Sequence, residues 1–169
     1  MSDSTQNQWD LYQQITDAVI AEIKKYAPDI EVTAENVQGQ PPPYPYISIE
    51  IYDDYDRLTL SDVDNEVFNI HMDLKAVSDN ENEAKAMGHW LRKLLFLRQI
   101  HTDLYAQHIV AESVDAIPNV NQYLDVGWQF MAGADYTLQV QDDFTDDTQP
   151  GVIEHVDPTF KFNKGAENK

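Results

Sequence analysis

Apolar and polar positions along this chain alternate with two different periods. Tyr12, Ile15, Val19, Ile23 and Tyr26 recur three or four apart, one face of a helix. They predict a helix from about Thr5 to Tyr26, stopped by Pro28. A short strand is expected at Ile30–Val37. The run Gln40-Pro41-Pro42-Pro43-Tyr44-Pro45 has to be extended, because successive prolines forbid a helix. From Tyr46 to Tyr52 the period becomes two, with Ile47, Ile49 and Ile51 on one face and Tyr46, Ser48 and Glu50 on the other. Residues Asp53–Glu66 read as an acidic turn region with a hairpin through Leu58–Leu60. Val67–Ala76 alternates again, placing Phe68, Ile70, Met72, Leu74 and Ala76 inward.

Ser78-Asp79-Asn80-Glu81 has the form of a capping box and opens a second helix reaching about Arg98. Ala84, Met87, Leu91, Leu94 and Leu95 are its core stripe. A helical piece at Leu104–Gln107 and a strand at Ile109–Ile117, ended by Pro118, follow. From Leu124 to Val140 every even position is apolar, from Leu124, Val126, Trp128 and Phe130 to Tyr136, Leu138 and Val140. A strand of that length would span roughly 55 Å. It therefore bends near Gly133, divides at a bulge, or projects beyond the domain. The order predicts an α+β fold: a mixed or antiparallel sheet, two main helices packed on one face, and one long late strand. Residues 1–141 form the expected domain, and 142–169 an acidic loop and C-terminal tail or arm.

Composition narrows the function classes. A length of 169 residues suits one domain with a substantial core. The absence of cysteine removes disulfide scaffolds, thiol nucleophiles and cysteine-ligated metal. No apolar run approaches a membrane span, and the polar start Met1-Ser2-Asp3-Ser4 is not a signal peptide. The net charge of -19 argues against nucleic acid or anionic lipid as a bound partner. An acidic domain made inside the cell is expected.

Chemistry-bearing motifs are few. His71 and Asp73 share the outward face of one strand, where a metal or acid–base site could begin, yet polar residues are the rule on such a face. His101 and His108 lack a metal-ligand spacing, and no Gly-rich phosphate loop or Gly-x-Ser-x-Gly elbow occurs. The acidic pairs Asp53/Asp54, Asp142/Asp143 and Asp146/Asp147 read as solvated loop charge without the calcium-loop spacing. No enzyme, cofactor or metal is expected.

The second helix carries the more informative pattern. At 100° per residue, Lys85, His89, Arg92 and Phe96 form a stripe opposite its core stripe, with Lys93 beside it and Trp90 and Leu97 on a third flank. The simple reading is a solvated basic face. The alternative is an interface, because Arg and aromatics are enriched in interface cores and a basic stripe complements the acidic loops of an identical neighbour.

The N-terminal helix, the lead-in Pro41-Pro42-Pro43-Tyr44-Pro45-Tyr46-Ile47, the Phe68–Ala76 strand, the helix Ala84–Leu95 with Arg92-Lys93, and the final alternating strand together resemble tailed-bacteriophage neck or tail terminator proteins. The resemblance covers roughly residues 5–141. It implies a non-enzymatic virion protein of the neck, assembled in the bacterial cytoplasm. It further implies a ring, usually a hexamer, that ends the tail tube and joins it to the head connector or head completion protein. DNA would pass through the central channel without specific binding. Asp53, Asp54 and Asp56 are then the first candidates for a channel-facing acidic band, and Asp142, Asp143, Asp146 and Asp147 the second. Lys85, His89, Trp90, Arg92, Lys93 and Phe96 are the candidate interface. Two rivals stand beside this reading: an acidic monomeric or dimeric inhibitor that mimics DNA, and, more weakly, a small metal-dependent enzyme built on His71 and Asp73.

Overall fold

The N-terminal periodicity becomes helix α1, Leu11–Tyr26, which buries Ile15, Ala18, Val19 and Ile23 on one side. The Ala27 amide closes on the Ile23 carbonyl at 2.9 Å, and Pro28 cannot continue the ladder. The computed structural model describes residues 10–35, 40–58, 63–124 and 127–145. Strand β1 (Glu31–Ala34) pairs parallel with β2 (Tyr46–Arg57), and the Pro-rich segment between them, with its cis Tyr44–Pro45 bond, returns the chain to the level where β1 began. β2 runs antiparallel to β3 (Val67–Ser78). Helices α2 (Glu81–Leu94) and α3 (Arg98–Tyr105) follow, then β4 (Ile109–Leu124) and β5 (Gly127–Gln141).

Among the described residues the strands lie in the order β1-β2-β3-β5-β4. β5 is antiparallel to both neighbours, so β3 and β4 run the same way and α2–α3 form the crossover between them. The fold is α+β: one mixed sheet with three helices. The apolar face of the sheet, including Ile47, Ile49, Phe68, Ile70, Met72, Leu74, Tyr136 and Leu138, packs with the helices in one core. The opposite face is polar and half-buried, as expected of strands covered on one side.

Several boundaries differ from the sequence expectation, each for a physical reason. Asp53–Arg57 is strand rather than turn, because β3 supplies partners (Asp53↔His71, Asp56↔Asn69, Arg57↔Phe68) across two register shifts. The piece has no alternating pattern because both of its faces are exposed. Leu58 lies outside the strand, and the expected Leu58–Leu60 hairpin otherwise falls outside the described residues. The helical piece expected at Leu104–Gln107 begins earlier, as Arg98–Tyr105, and the second helix stops at Leu94, short of the expected Arg98. Its N-cap is Asn80, whose side chain accepts from the Asn82 and Glu83 amides, while Glu83 receives the Ser78 hydroxyl. Pro118 does not end β4. It sits at a register shift between Ile117 and Val120 on an edge strand, where the missing N–H is tolerated. The long alternating run thereby takes in the last residue of β4, Leu124, and β5, with Leu124 paired to Gly127.

Helix α2 lies very close to β5. A Cβ placed on Gly88 would stand 2.7 Å from the Ala132 Cβ and 2.8 Å from its carbonyl carbon. Further along, the fully buried Tyr136 sends its hydroxyl into the end of the helix, donating to the Leu91 carbonyl and accepting from the Leu95 amide at 3.4 Å. The Leu91 carbonyl is one of the last four of the helix, the groups that a helix C-terminus leaves without intrahelical partners. α1 is tied in by Lys25, which bridges Glu22 at 2.7 Å and Asp103 of α3 at 2.8 Å.

Two effects oppose each other in Gly88→Ala. Ala is better than Gly in a helix by ~1 kcal/mol, whereas overpacking against backbone costs ~1–3 kcal/mol. Net destabilisation is expected, read as a lower urea midpoint with an unchanged slope. A raised midpoint would mean that the helix can ride higher on the sheet.

Candidate functional site

The outer surface of α2 divides into two kinds of position. Lys85, His89 and Lys93 are exposed, with Lys85 paired to Glu81 one turn earlier at 2.6 Å. Arg92 instead bends to the sheet, and its Nε donates to the Gly133 carbonyl at 2.9 Å. That carbonyl lies where the β4 ladder is irregular around Pro118, which has no N–H to offer. Trp90 is half-buried against the core cluster. Phe96 lies in the turn after α2, not on the helix, and is 42% exposed with its ring 5.9 Å from that of Tyr136. The stripe read on an ideal helix is therefore three exposed polar side chains, one exposed aromatic, and two residues already engaged by their own fold. Long side chains explain the difference, since an Arg at the edge of a face can reach inward.

The acidic candidates also separate. Asp53, Asp54 and Asp56 are all exposed on the end of β2, where the Tyr12 hydroxyl donates to the Asp54 backbone carbonyl at 2.8 Å. Asp142 is half-buried and ties down its own surroundings, since one carboxylate oxygen accepts from the Glu66 amide at 2.8 Å and the Phe144 amide at 3.3 Å. Burial pushes its carboxyl up, against those two hydrogen bonds. Asp143 is exposed, and Asp146 and Asp147 lie outside the described residues.

The open face of the sheet holds a feature that no local pattern announced. Register brings Glu50, Asp73, Asp135 and Asp115 opposite one another on four adjacent strands. Lys75 relieves the row from one side, with ion pairs to Glu35 at 2.6 Å and Asp73 at 3.1 Å. The Tyr52 hydroxyl donates to Asp135, 2.9 Å from both oxygens. Burial first, and that hydrogen bond second, hold the Tyr52 phenol up at about 12. Asp73 is pushed up chiefly by burial, with Lys75 opposing. His71 stands beside Thr137 at 3.5 Å and the Tyr52 ring at 5.8 Å. Among the described residues, no group of three or more His, Asp or Glu side chains is arranged to hold a metal ion.

The far end of the β4–β5 hairpin adds an exposed aromatic ladder. Tyr123 meets Trp128 edge to face at 5.4 Å between centroids, and Trp128 stacks with Phe130 at 6.5 Å. Trp128 is one of the apolar even positions of the alternating run from Leu124 to Val140. It shares its face with the buried Ala132, Ala134 and Tyr136, yet is itself 55% exposed.

An α+β sheet with a charged open face, an exposed basic helix edge and an aromatic hairpin tip offers surfaces for assembly. The chain belongs to the phage neck terminator protein family, whose model matches residues 10–166. That match extends beyond the 5–141 of the sequence resemblance, into the C-terminal segment. No curated protein matches the chain at a significant level. The family is a structural one, which gives this protein a structural role in the neck of the virion.

Asp73 supplies a pH test. Its folded pKa lies above the unfolded value of 3.8, so folding takes up a proton there. The charged form therefore costs stability at neutral pH, and that cost is relieved as pH falls through the raised folded value toward 3.8. Asp73→Asn should flatten this part of the stability–pH curve while leaving Lys75 paired with Glu35. A curve with an unchanged slope in mild acid would show that the row of carboxylates carries no strain.

Proposed function

We propose that this protein assembles into a closed ring, a hexamer, at the phage neck. The ring terminates the tail tube, docks it to the head connector or head completion protein, and leaves a channel for DNA. Residues 1–141 are the ring-forming body and 142–169 an arm. Assembly takes place in the host cytoplasm, and the protein works without cofactor or catalysis.

Family membership supports the location, and the observation that carries the channel reading is the exposed acidic end of β2. In a ring, Asp53, Asp54 and Asp56 repeat around the axis and become a closed negative band. DNA sliding past such a band is repelled rather than held, because the neighbouring cation, Arg57, is ion-paired with Glu66 at 2.8 Å. The same band resists closure over a Debye length of about 8 Å at physiological salt. Burial of apolar surface between subunits must supply the net attraction, with salt or divalent cations assisting. The exposed edge of α2 (Lys85, His89, Lys93, Phe96), flanked by Trp90 and Arg92, is the basic surface that meets acidic neighbours. The structural family favours this role over an inhibitor that mimics DNA, since such an inhibitor has no need of a neck partner.

Electron microscopy of the purified protein, with and without tail tubes, should show rings with a central opening. Monomers or dimers on every grid, free and tube-bound, would refute the ring. Asp53→Asn, Asp54→Asn and Asp56→Asn together should ease ring formation at low salt and slow DNA delivery during infection. These side chains on the outer rim of a ring map would refute the channel assignment. Lys93→Glu with Phe96→Ala should weaken assembly partially and in a salt-sensitive way, because an exposed charge pair contributes at most ~1 kcal/mol. Arg92 is unsuited to that test, being tied to Gly133.

A further inference from the structure

Charged residues are spread over much of this chain, yet the stretch between Asp115 and Asp135 is nearly free of either sign. Between Asp115 and Asp135 the sequence has a single charged residue, Asp125, and residues 117–124 and 127–134 of the β4–β5 hairpin contain no Asp, Glu, Lys or Arg. There Tyr123 is 65% exposed and Trp128 55% exposed. The tip is held firmly from its other face: the Gln129 side-chain amide donates to the Tyr44 hydroxyl at 3.1 Å and reaches the Tyr46 hydroxyl at 3.4 Å, and those two rings stack at 5.9 Å. Exposed aromatics on a braced element lose little freedom when they are covered, which suits a contact surface.

At the opposite end of the same sheet is a hollow of about 360 Å³. Val67, Tyr105, His108, Val110 and Val140 line it, and no Asp, Glu, Lys or Arg does. Knob and hollow therefore lie at the two ends of β5, roughly 40 Å apart at strand rise. Surfaces on opposite ends of a molecule make a head-to-tail contact, the type that closes into rings. Two copies carrying a charge of -19 each repel over most of their surfaces, and a contact between two sparsely charged surfaces, like one between the basic edge of α2 and an acidic loop, escapes that repulsion. A basic partner would be selected by a cluster of acidic groups at the contact, and this stretch offers only Asp125.

We infer that the Tyr123–Trp128–Phe130 tip of one copy seats in the Val67–Tyr105–His108 hollow of the next. The inference rests on the ring reading and names one of its contacts. Side chains rather than strand edges make it, because Pro118 and the register shift beside it spoil the outer edge of β4 for strand addition.

The chain has no cysteine, so single cysteines report cleanly. Full-length Trp128→Cys mixed with full-length Tyr105→Cys should form disulfide-linked pairs under mild oxidation, and neither should do so alone. Trp128→Ala, at an exposed position, should keep its circular dichroism and weaken assembly by roughly tenfold or more, as loss of an interface anchor does. Rings of undiminished stability in Trp128→Ala would overturn the contact and leave the ring standing. Trp128→Cys pairing efficiently with itself would replace head-to-tail seating by tip-to-tip contact. Loss of tail-tube binding with unchanged rings would assign the tip to a different virion protein. A wild-type chain that stays monomeric, free and on its tubes, would overturn the ring reading and this contact together.

Discussion

The structure turns on how closely helix α2 lies on strand β5. Gly88 and Ala132 let the two backbones approach, and a side chain at Gly88 would strike the strand. Once the helix is at that depth, Tyr136 can reach its last turn and satisfy the Leu91 carbonyl, and Arg92 can reach the Gly133 carbonyl. The α2–α3 crossover is then set, and with it the parallel relation of β3 and β4 that leaves room for β5 between them. A bulkier pairing would lift the helix and break both polar contacts. Each is largely shielded from water, where an unmade hydrogen bond is expensive.

Managing negative charge is the second constraint. The fold places its core on one side of the sheet and lets carboxylates gather on the other, at strand ends and in loops. Where register forces several into one row, Lys75 and the Tyr52 hydroxyl temper the repulsion. Asp73 is held above the usual carboxylate range chiefly by its burial, with Lys75 opposing and the neighbouring Asp135 adding to the shift. The exposed Asp53–Asp56 end of β2 carries no such pressure, since water screens it.

These two constraints bear on assembly. In the proposed ring, identical, like-charged copies have to hold together while presenting a surface that DNA does not bind. Confining charge to some surfaces, and leaving the hairpin tip and the hollow beyond α3 almost without it, separates the two requirements. The braced hairpin also makes its aromatic ladder a fixed geometric feature, which suits the contact proposed between copies.

Periodicity alone established the α+β class, the helix on Ile15, Val19 and Ile23, and the alternating strands through Ile47–Ile51, Phe68–Ala76 and Ala132–Val140, because period 3.6 and period 2 are properties of local backbone geometry. The family resemblance was legible too, in the order of those elements. What stayed hidden depends on neighbours. Asp53–Arg57 has no alternation, and only pairing with β3 makes it strand. Pro118 looks like a stop until the sheet order shows it on an edge. Arg92 looks solvated until the helix is laid on Gly133, and Trp128 shares the period of its buried neighbours yet is exposed. The Glu50–Asp73–Asp135–Asp115 row exists only in the register of four strands. A sequence records which face each side chain takes; whether anything covers that face is decided by tertiary packing, because coverage is a property of pairs of elements and not of either one.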